Sequence, residues 1–302
     1  MKLGEAERHI KEQLVTVYDE SEAATIAALA LEHITFLSKA DRIVKKDKLL
    51  SPHQLEQLNQ DIQRLLQHEP IQYIMNKTWF YGMELYVNNT VLIPRPETEE
   101  LVDWIVKEVN ASGADVFERR PMKADETKQI KILDVGTGSG CIALALKKAM
   151  PKAEVWGCDI SEAALNVARR NGSALDIRVD FQGMDFLDIA QQKHLPTVDI
   201  VVSNPPYIPI AGKSTMNPNV VNHEPHTALF VPDNDALLFY KCLAKFGKHR
   251  LYKNGAIYME IHEDLGKDVV ELFEMEGYSH VELKKDMQGK DRMVKVVNGL
   301  RI

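Results

Sequence analysis

From residue 130 onward the chain alternates short apolar strand candidates with helical segments, and that rhythm leaves few architectures open. The strand candidates are residues 130–135, 154–159, 177–181, 199–203 and 256–261. A helix between successive strands returns the chain parallel to its start, so the alternation predicts an α/β fold, a mostly parallel Rossmann-like sheet flanked by helices. Residues 279–283 and 292–297, joined around Gly289, are close enough to pair as a hairpin and add antiparallel strands at one edge.

The first 75 residues carry a different pattern. Ile26, Leu29, Ala30 and Leu37 recur at helical spacing. Ser51, Pro52 and Gln54 mark a helix start, with Ser as cap, Pro in the first turn and Gln at the capping-box position, and Leu55, Leu58, Ile62 and Leu65 supply the buried face. A small helical bundle over 1–75 is expected. Residues 78–93 are rich in aromatic and β-branched side chains (Trp79, Phe80, Tyr81, Tyr86, Val87, Val91) and are interrupted by Asn88 and Asn89. They read as a β-hairpin turning at the two asparagines, a linker over 76–94. Pro94 and Pro96 then stiffen the chain ahead of a helix from about Glu97, opening a domain over 95–302. The polar residues 111–128 read as an exposed loop.

Composition narrows the function. With 302 residues, 45% of them hydrophobic, there is chain enough for two cores. Thirty-seven Lys and Arg against 44 Asp and Glu leave a charge of −7, which disfavours a broad grip on a phosphate backbone, so direct nucleic-acid binding is not expected. Cys141, Cys158 and Cys242 are odd in number and widely spaced, arguing against a disulfide framework or a zinc site and fitting a reducing cytoplasm. No run of about 18 apolar residues occurs, so neither export nor a membrane span is expected.

Two stretches carry chemistry. Asp134-Val135-Gly136-Thr137-Gly138-Ser139-Gly140 follows a strand and opens an apolar helix, where glycines permit a sharp turn and close approach of a ligand to the backbone. Glycines at 136, 138 and 140, with Cys141 next, depart from the dinucleotide fingerprint. Asp159, ending the next strand, is placed to accept bonds from ribose hydroxyls, and Asp185 with Phe186 suits an adenine, carboxylate to amino group and ring to ring. Asn204-Pro205-Pro206-Tyr207 follows the apolar strand at its carboxyl end. A planar NH2 group needs two acceptors, which the Asn204 side-chain oxygen and the Pro205 carbonyl can provide, with Tyr207 against its flat face.

Together these residues resemble the class I S-adenosylmethionine-dependent methyltransferases. Asn-Pro-Pro-Tyr is shared there by adenine amino-methylating DNA enzymes and protein glutamine methyltransferases, and does not choose between them. Glu69-Pro70-Ile71-Gln72-Tyr73-Ile74 and Leu92-Ile93-Pro94-Arg95-Pro96-Glu97-Thr98-Glu99 resemble signatures of the release factor glutamine methyltransferase family, called PrmC or HemK. The likeness spans nearly the whole chain, whereas the sibling family acting on a ribosomal protein lacks the Pro-Glu-Thr-Glu run. It implies S-adenosylmethionine as cofactor, S-adenosylhomocysteine as product and no metal. Carried over by motif, cofactor contacts fall on Gly136, Thr137, Gly138, Ser139, Gly140, Asp159, Phe186 and Asn204, and substrate contacts on Asn204, Pro205, Pro206 and Tyr207. Phe186 departs from the Trp common among relatives but keeps an aromatic.

The implied substrate is the glutamine of a Gly-Gly-Gln loop in peptide chain release factors, docked by the helical domain. Lys39, Arg42, Lys45, Lys46 and Lys48 are either part of that docking surface or a solvated helix face. Arg95, Glu97 and Glu99 either support the pocket or link the hairpin to it. His223 and His226, near the family-like Glu224-Pro225 and Thr227-Ala228-Leu229, lack a third ligand in the sequence, so no metal is expected. The competing readings are a ribosomal-protein glutamine methyltransferase, a DNA adenine methyltransferase, and a binding module that keeps the fold without turnover.

Overall fold

The computed structural model describes residues 1–112 and 129–299; most of the stretch expected to form an exposed loop lies outside them. The chain divides into two units, Met1–Lys77 with Met216–Glu224, and Thr78–Thr215 with Pro225–Ile302.

The first unit is helical: α1 (Leu3–Leu14), α2 (Glu20–Thr35), α3 (Lys39–Val44), α4 (Pro52–Leu66) and α5 (Ile71–Met75), with Pro218–His223, α10 in chain order. The N-termini of α2, α3 and α4 are capped by short polar side chains. Asp19 accepts from the Ser21 and Glu22 amides, and Ser51 and Gln54 close the capping box expected for α4. Ile10, Leu14, Leu31, Leu58 and Leu65 fill the core. Leu29 does not join it: the buried face of α2 runs through Ala23, Ile26, Ala27, Ala30, Leu31 and Ile34, and Leu29 is exposed. In so alanine-rich a helix, apolar spacing alone marks no single face. Arg42 also departs from expectation. Its guanidinium is buried, donating to the Leu37 carbonyl at 2.8 Å and to Glu32 at 3.1 Å, and so belongs to no solvated basic face.

The second unit opens with the hairpin of β1 (Thr78–Phe80) and β2 (Met83–Leu85). It turns at Tyr81 and Gly82, both at positive φ, and not at Asn88 and Asn89 as the sequence predicts. Two left-handed residues match the twist of a tight hairpin, and Gly82 adopts that conformation at no steric cost. Asn88 closes a separate turn, accepting from Thr90 through its side chain and from Val91 through its carbonyl.

Helix α6 (Pro96–Ser112) leads into the main sheet: β3 (Lys131–Val135), α7 (Cys141–Ala149), β4 (Glu154–Asp159), α8 (Glu162–Ala174), β5 (Asp180–Gly183), α9 (Ile189–Gln192) and β6 (Val198–Ser203). After the two-residue strands β7 (Ile208–Pro209) and β8 (Phe230–Val231) come α11 (Leu238–Arg250), β9 (Leu251–Glu260), α12 (Gly266–Met275), β10 (His280–Lys285) and β11 (Asp291–Val297). The order across the sheet is β10-β11-β9-β6-β3-β4-β5, parallel from β9 to β5 and antiparallel at β11 and β10. Alternate side chains along each strand enter opposite cores. Ile132, Ile200, Val202 and Tyr258 pack with α6, α7 and α8, while Leu133, Val201, Ile257 and Met259 pack with α11 and α12. Strand β5 begins three residues after the expected position. Ile177 and Val179 pack against the first core from the segment preceding the strand, so their apolar character reports burial and not pairing.

Gly157, inside β4, has no room for a side chain: a Cβ would stand 2.8 Å from both the Phe181 ring and Thr137 Oγ1. Gly157→Ala should destabilise the protein by about 1–3 kcal/mol through overpacking. A thermal midpoint equal to that of the wild type would show that this packing tolerates a methyl group.

Candidate active site

Strand order reverses between β3 and β6: the chain runs outward from β3 to β4 and β5, then resumes on the other side of β3. At such a point the connections leaving the strand carboxyl ends diverge and open a crevice. A cleft of about 410 Å³ lies there.

The loop after β3 forms one wall. Gly136 and Gly138 line the cleft at φ of 72° and 53°, and nothing stands within 4 Å of where a Cβ would be. Their backbone therefore borders open space. Gly140, at φ 81°, serves packing instead, since a Cβ there would lie 3.1 Å from Ala168 and Phe181. Thr137 and Ser139 are buried and do not line the cleft. Thr137 Oγ1 donates to Asp134 Oδ2 at 2.6 Å, and the Ser139 carbonyl accepts from Asn171 Nδ2 at 3.0 Å. Asp134 Oδ2 also accepts from the Ala143 amide at 3.2 Å, while Oδ1 has no hydrogen-bond partner among the described residues. Burial pushes the Asp134 carboxyl up to about 7, against the opposing pull of the Thr137 and Ala143 bonds.

Asp159 ends β4 at the cleft. Its Oδ2 accepts from the Gly138 amide and its Oδ1 from the Ser161 amide, each at 2.9 Å. Burial raises its pKa and these bonds oppose the rise. Ser161 caps α8 through the Ala164 amide, so Asp159 is not the helix cap. Asp185 and Phe186 reach the same cleft from beyond β5. Asp185 Oδ1 accepts from the Leu187 amide at 2.9 Å, and the Phe186 ring packs on Phe246 with centroids 5.2 Å apart.

Asn204, Pro205 and Pro206 form the wall beyond β6. Asn204 Nδ2 donates to Thr98 Oγ1 at 3.1 Å, which leaves Oδ1 as the end of the amide free to accept from the cleft. Thr98 in turn donates to Glu260 Oε2 at 2.6 Å. Tyr207 is not on the cleft wall: its hydroxyl donates to Glu260 Oε1 at 3.4 Å and its ring stands edge-on to His262 at 5.8 Å. Burial pushes the Glu260 carboxyl up to about 7 and the Tyr207 hydroxyl above its usual range. Arg95, Glu97 and Glu99 also stay off the wall. Glu99 accepts from the Tyr81 amide at 2.9 Å and so ties the hairpin to α6, while Glu97 and Arg95 act as charges on Glu260 and Tyr207 respectively.

Several residues of the site are not among the cofactor and substrate contacts expected from the sequence. Val91 and Leu92 border the cleft, as does the exposed Ile160. The far wall, formed by Pro225, Thr227, Ala228 and Phe230, is held by the short β7–β8 pair, beside which the Ile208 amide donates to the Leu229 carbonyl at 3.0 Å. Thr98 and Glu260 lie 162 residues apart in the chain, and the sequence marks neither as a site residue. His223 bonds the Gln67 carbonyl and His226 packs edge-on against Phe230.

Residues 5–75 match the PrmC N-terminal domain and residues 117–223 the methyltransferase small domain. The release factor glutamine methyltransferase of Flavobacterium psychrophilum is 41% identical over 286 residues, covering 94% of each chain. The protein of that description from Bacteroides thetaiotaomicron is 40% identical over 95% of this chain and 96% of its own, and that from Streptococcus pneumoniae 36% identical over 99% of each. Among solved structures, the hMettl16 catalytic domain in complex with a MAT2A 3′UTR hairpin aligns with 74% of this chain and 77% of its own at a TM-score of 0.54 and 15% identity, a likeness of fold alone. Sheet order, glycine loop and cleft thus define a methyltransferase of the Rossmann-like class. Within that class, the chain belongs to the release factor glutamine methyltransferase family.

The buried Asp134 predicts a pH effect. Between 3.8, where the carboxyl ionises in the unfolded chain, and about 7, where it ionises in the fold, the native state holds a proton that the unfolded state lacks. Stability therefore falls as pH rises through that window and levels off above it. Asp134→Asn has no such proton, so its stability relative to wild type should climb from pH 4 to pH 7, by up to about 4 kcal/mol. A difference in thermal midpoint that stays constant with pH would refute this.

Proposed function

We propose that this chain transfers a methyl group from S-adenosylmethionine to the side-chain amide nitrogen of the glutamine in the Gly-Gly-Gln loop of peptide chain release factors, acting in the cytoplasm. The observation that carries the reading is the hold on Asn204, whose NH2 end is engaged by Thr98 so that its oxygen is left to accept from a substrate at the cleft. Family membership supports the substrate. Among the described residues no helix is long and apolar enough to cross a membrane.

The residues fit the cofactor. Gly136 and Gly138 give backbone without side chains beside the cleft, Asp159 offers the remaining lone pairs of its carboxylate to a ribose, and Asp185 and Phe186 flank the place for an adenine. When bound, S-adenosylmethionine supplies a methyl group on a sulfonium that is its own leaving group. The protein's part is alignment. Asn204 Oδ1 and the Pro205 carbonyl accept the two hydrogens of the substrate amide and so fix the direction of its nitrogen, a kind of positioning that accounts for roughly 7–11 kcal/mol in favourable cases. Both prolines restrict the backbone around them, which keeps the acceptors from turning away. As the nitrogen gains positive character, those acceptors bind it more strongly than they bind the ground state. In this reading residues 1–75 dock the release factor.

The direct test is to incubate the protein with labelled cofactor and candidate release factors and map the added mass by peptide fragmentation; a methyl anywhere but on the loop glutamine would overturn the assignment. Asn204→Ala should lower the rate roughly ten- to over a hundredfold, the effect of about 1.5–3 kcal/mol lost from the transition state. Near-normal turnover would exclude Asn204 from the chemistry. Asp159→Ala should act first on cofactor affinity, raising the calorimetric dissociation constant by about tenfold or more. Unchanged affinity would remove Asp159 from the site.

A further inference from the structure

A side-chain amide has nearly the same shape either way round, but one end only accepts hydrogen bonds and the other only donates. A site that uses Asn204 as an acceptor must therefore fix which way the amide faces. Cleft geometry alone does not do this. The chain of bonds behind Asn204 does: its Nδ2 donates to Thr98 Oγ1 at 3.1 Å, and the Thr98 hydroxyl donates to Glu260 Oε2 at 2.6 Å. Resting on the functional reading above, we propose that Thr98 and Glu260 are positioning residues that set the orientation of the Asn204 amide, and so present its oxygen to the substrate.

The count of available hydrogens decides the orientation. An ionised carboxylate has no hydrogen to give, so the single hydrogen of the Thr98 hydroxyl goes to Glu260. What the hydroxyl then shows to Asn204 is a lone pair, and only the NH2 end of the amide can meet it. A flipped Asn204 would place oxygen against oxygen and turn two donors toward a substrate that itself presents two. Thr98 and Glu260 are each 2% exposed, which keeps solvent from supplying a competing partner. The same carboxylate receives the Tyr207 hydroxyl on its other oxygen, at 3.4 Å, so both ends of the Asn204–Tyr207 turn refer to one buried group.

A proton on Glu260 would reverse the polarity. The carboxyl would donate to Thr98, the freed hydroxyl hydrogen would point at Asn204, and the amide oxygen would be drawn away from the cleft. The groups facing Glu260 are Glu97 and Thr98 on α6, Cys141 on α7, Tyr207 beyond β6, Tyr240 on α11 and Arg292 on β11. Burial has the largest effect and raises the carboxyl to about 7; Glu97 adds to the rise, and Thr98, Arg292 and Tyr207 oppose it. The proton-free, working form therefore predominates on the alkaline side of neutrality.

The test compares the full-length wild type with Thr98→Val, Thr98→Ser and Glu260→Gln, using S-adenosylmethionine and a release factor. Thr98→Val, which keeps the shape and removes the hydroxyl, should lower kcat about tenfold or more, while cofactor affinity by calorimetry and KM for the release factor stay within about threefold. Thr98→Ser should restore most of that loss. In the wild type kcat should fall as pH drops below about 7, and Glu260→Gln should lose that limb. A Thr98→Val enzyme as fast as wild type, or an acid limb that persists in Glu260→Gln, overturns the proposal. A wild-type protein that leaves the glutamine unmodified overturns instead the functional reading on which it rests, so the two failures are distinct.

Discussion

Three N–H groups hold the working end of the sheet together. Those of Gly136 and Thr137 both donate to the Cys158 carbonyl, at 2.9 and 3.0 Å, and that of Gly138 donates to the Asp159 carboxylate. The loop leaving β3 is thereby fastened to the end of β4. On the other side of β3, Ser203 Oγ donates to the Val135 carbonyl at 2.8 Å, placing the start of the Asn204 turn against the same strand end. Register does the rest: Val135 pairs with Cys158 and with Ser203, so the glycine loop, Asp159 and Asn204 emerge at one level. A slip of one residue in either pairing would send the side chains to the opposite face and separate these groups.

Much of this was legible because it depends on local sequence. Alternation of strand and helix signals fixed the class of sheet, and the glycine loop, Asp159 and Asn204 are all read from short segments that must each sit at a strand end. Boundaries were less legible where burial and pairing diverge. At β5, Ile177 and Val179 are apolar because they face the core before the strand starts, and in the first hairpin a Tyr-Gly pair turns while the more turn-like asparagines close a later bend. The relay behind Asn204 was not legible at all. Nothing local marks Glu260, in an apolar strand, as the partner of Thr98 on a helix 162 residues earlier. Only the packing of α6 on the sheet brings them together.

Three carboxyl groups, the buried Asp134 and Glu260 and the half-buried Asp159, lie at or behind the site, and each is treated differently by the fold. Asp159 has a backbone donor on both oxygens, Glu260 has a hydroxyl on both, and Asp134 has two donors on one oxygen and none among the described residues on the other. Burial raises all three, and the donors offset it to differing extents. The arrangement is costly for folding and specific for geometry, since a buried acceptor with fixed donors has one acceptable orientation.

Asn171 has a consequence for how such a site is assembled on the ribosome. From α8 its side chain joins the backbone of Tyr86, 85 residues upstream, to the Ser139 carbonyl, 32 residues upstream. While synthesis has reached only the end of α7, the glycine loop exists but has no clamp across it. The end of β4 fastens that loop first, and α8 then adds the tie from Ser139 to Tyr86, so this fastener comes later in the chain than both of the pieces it joins.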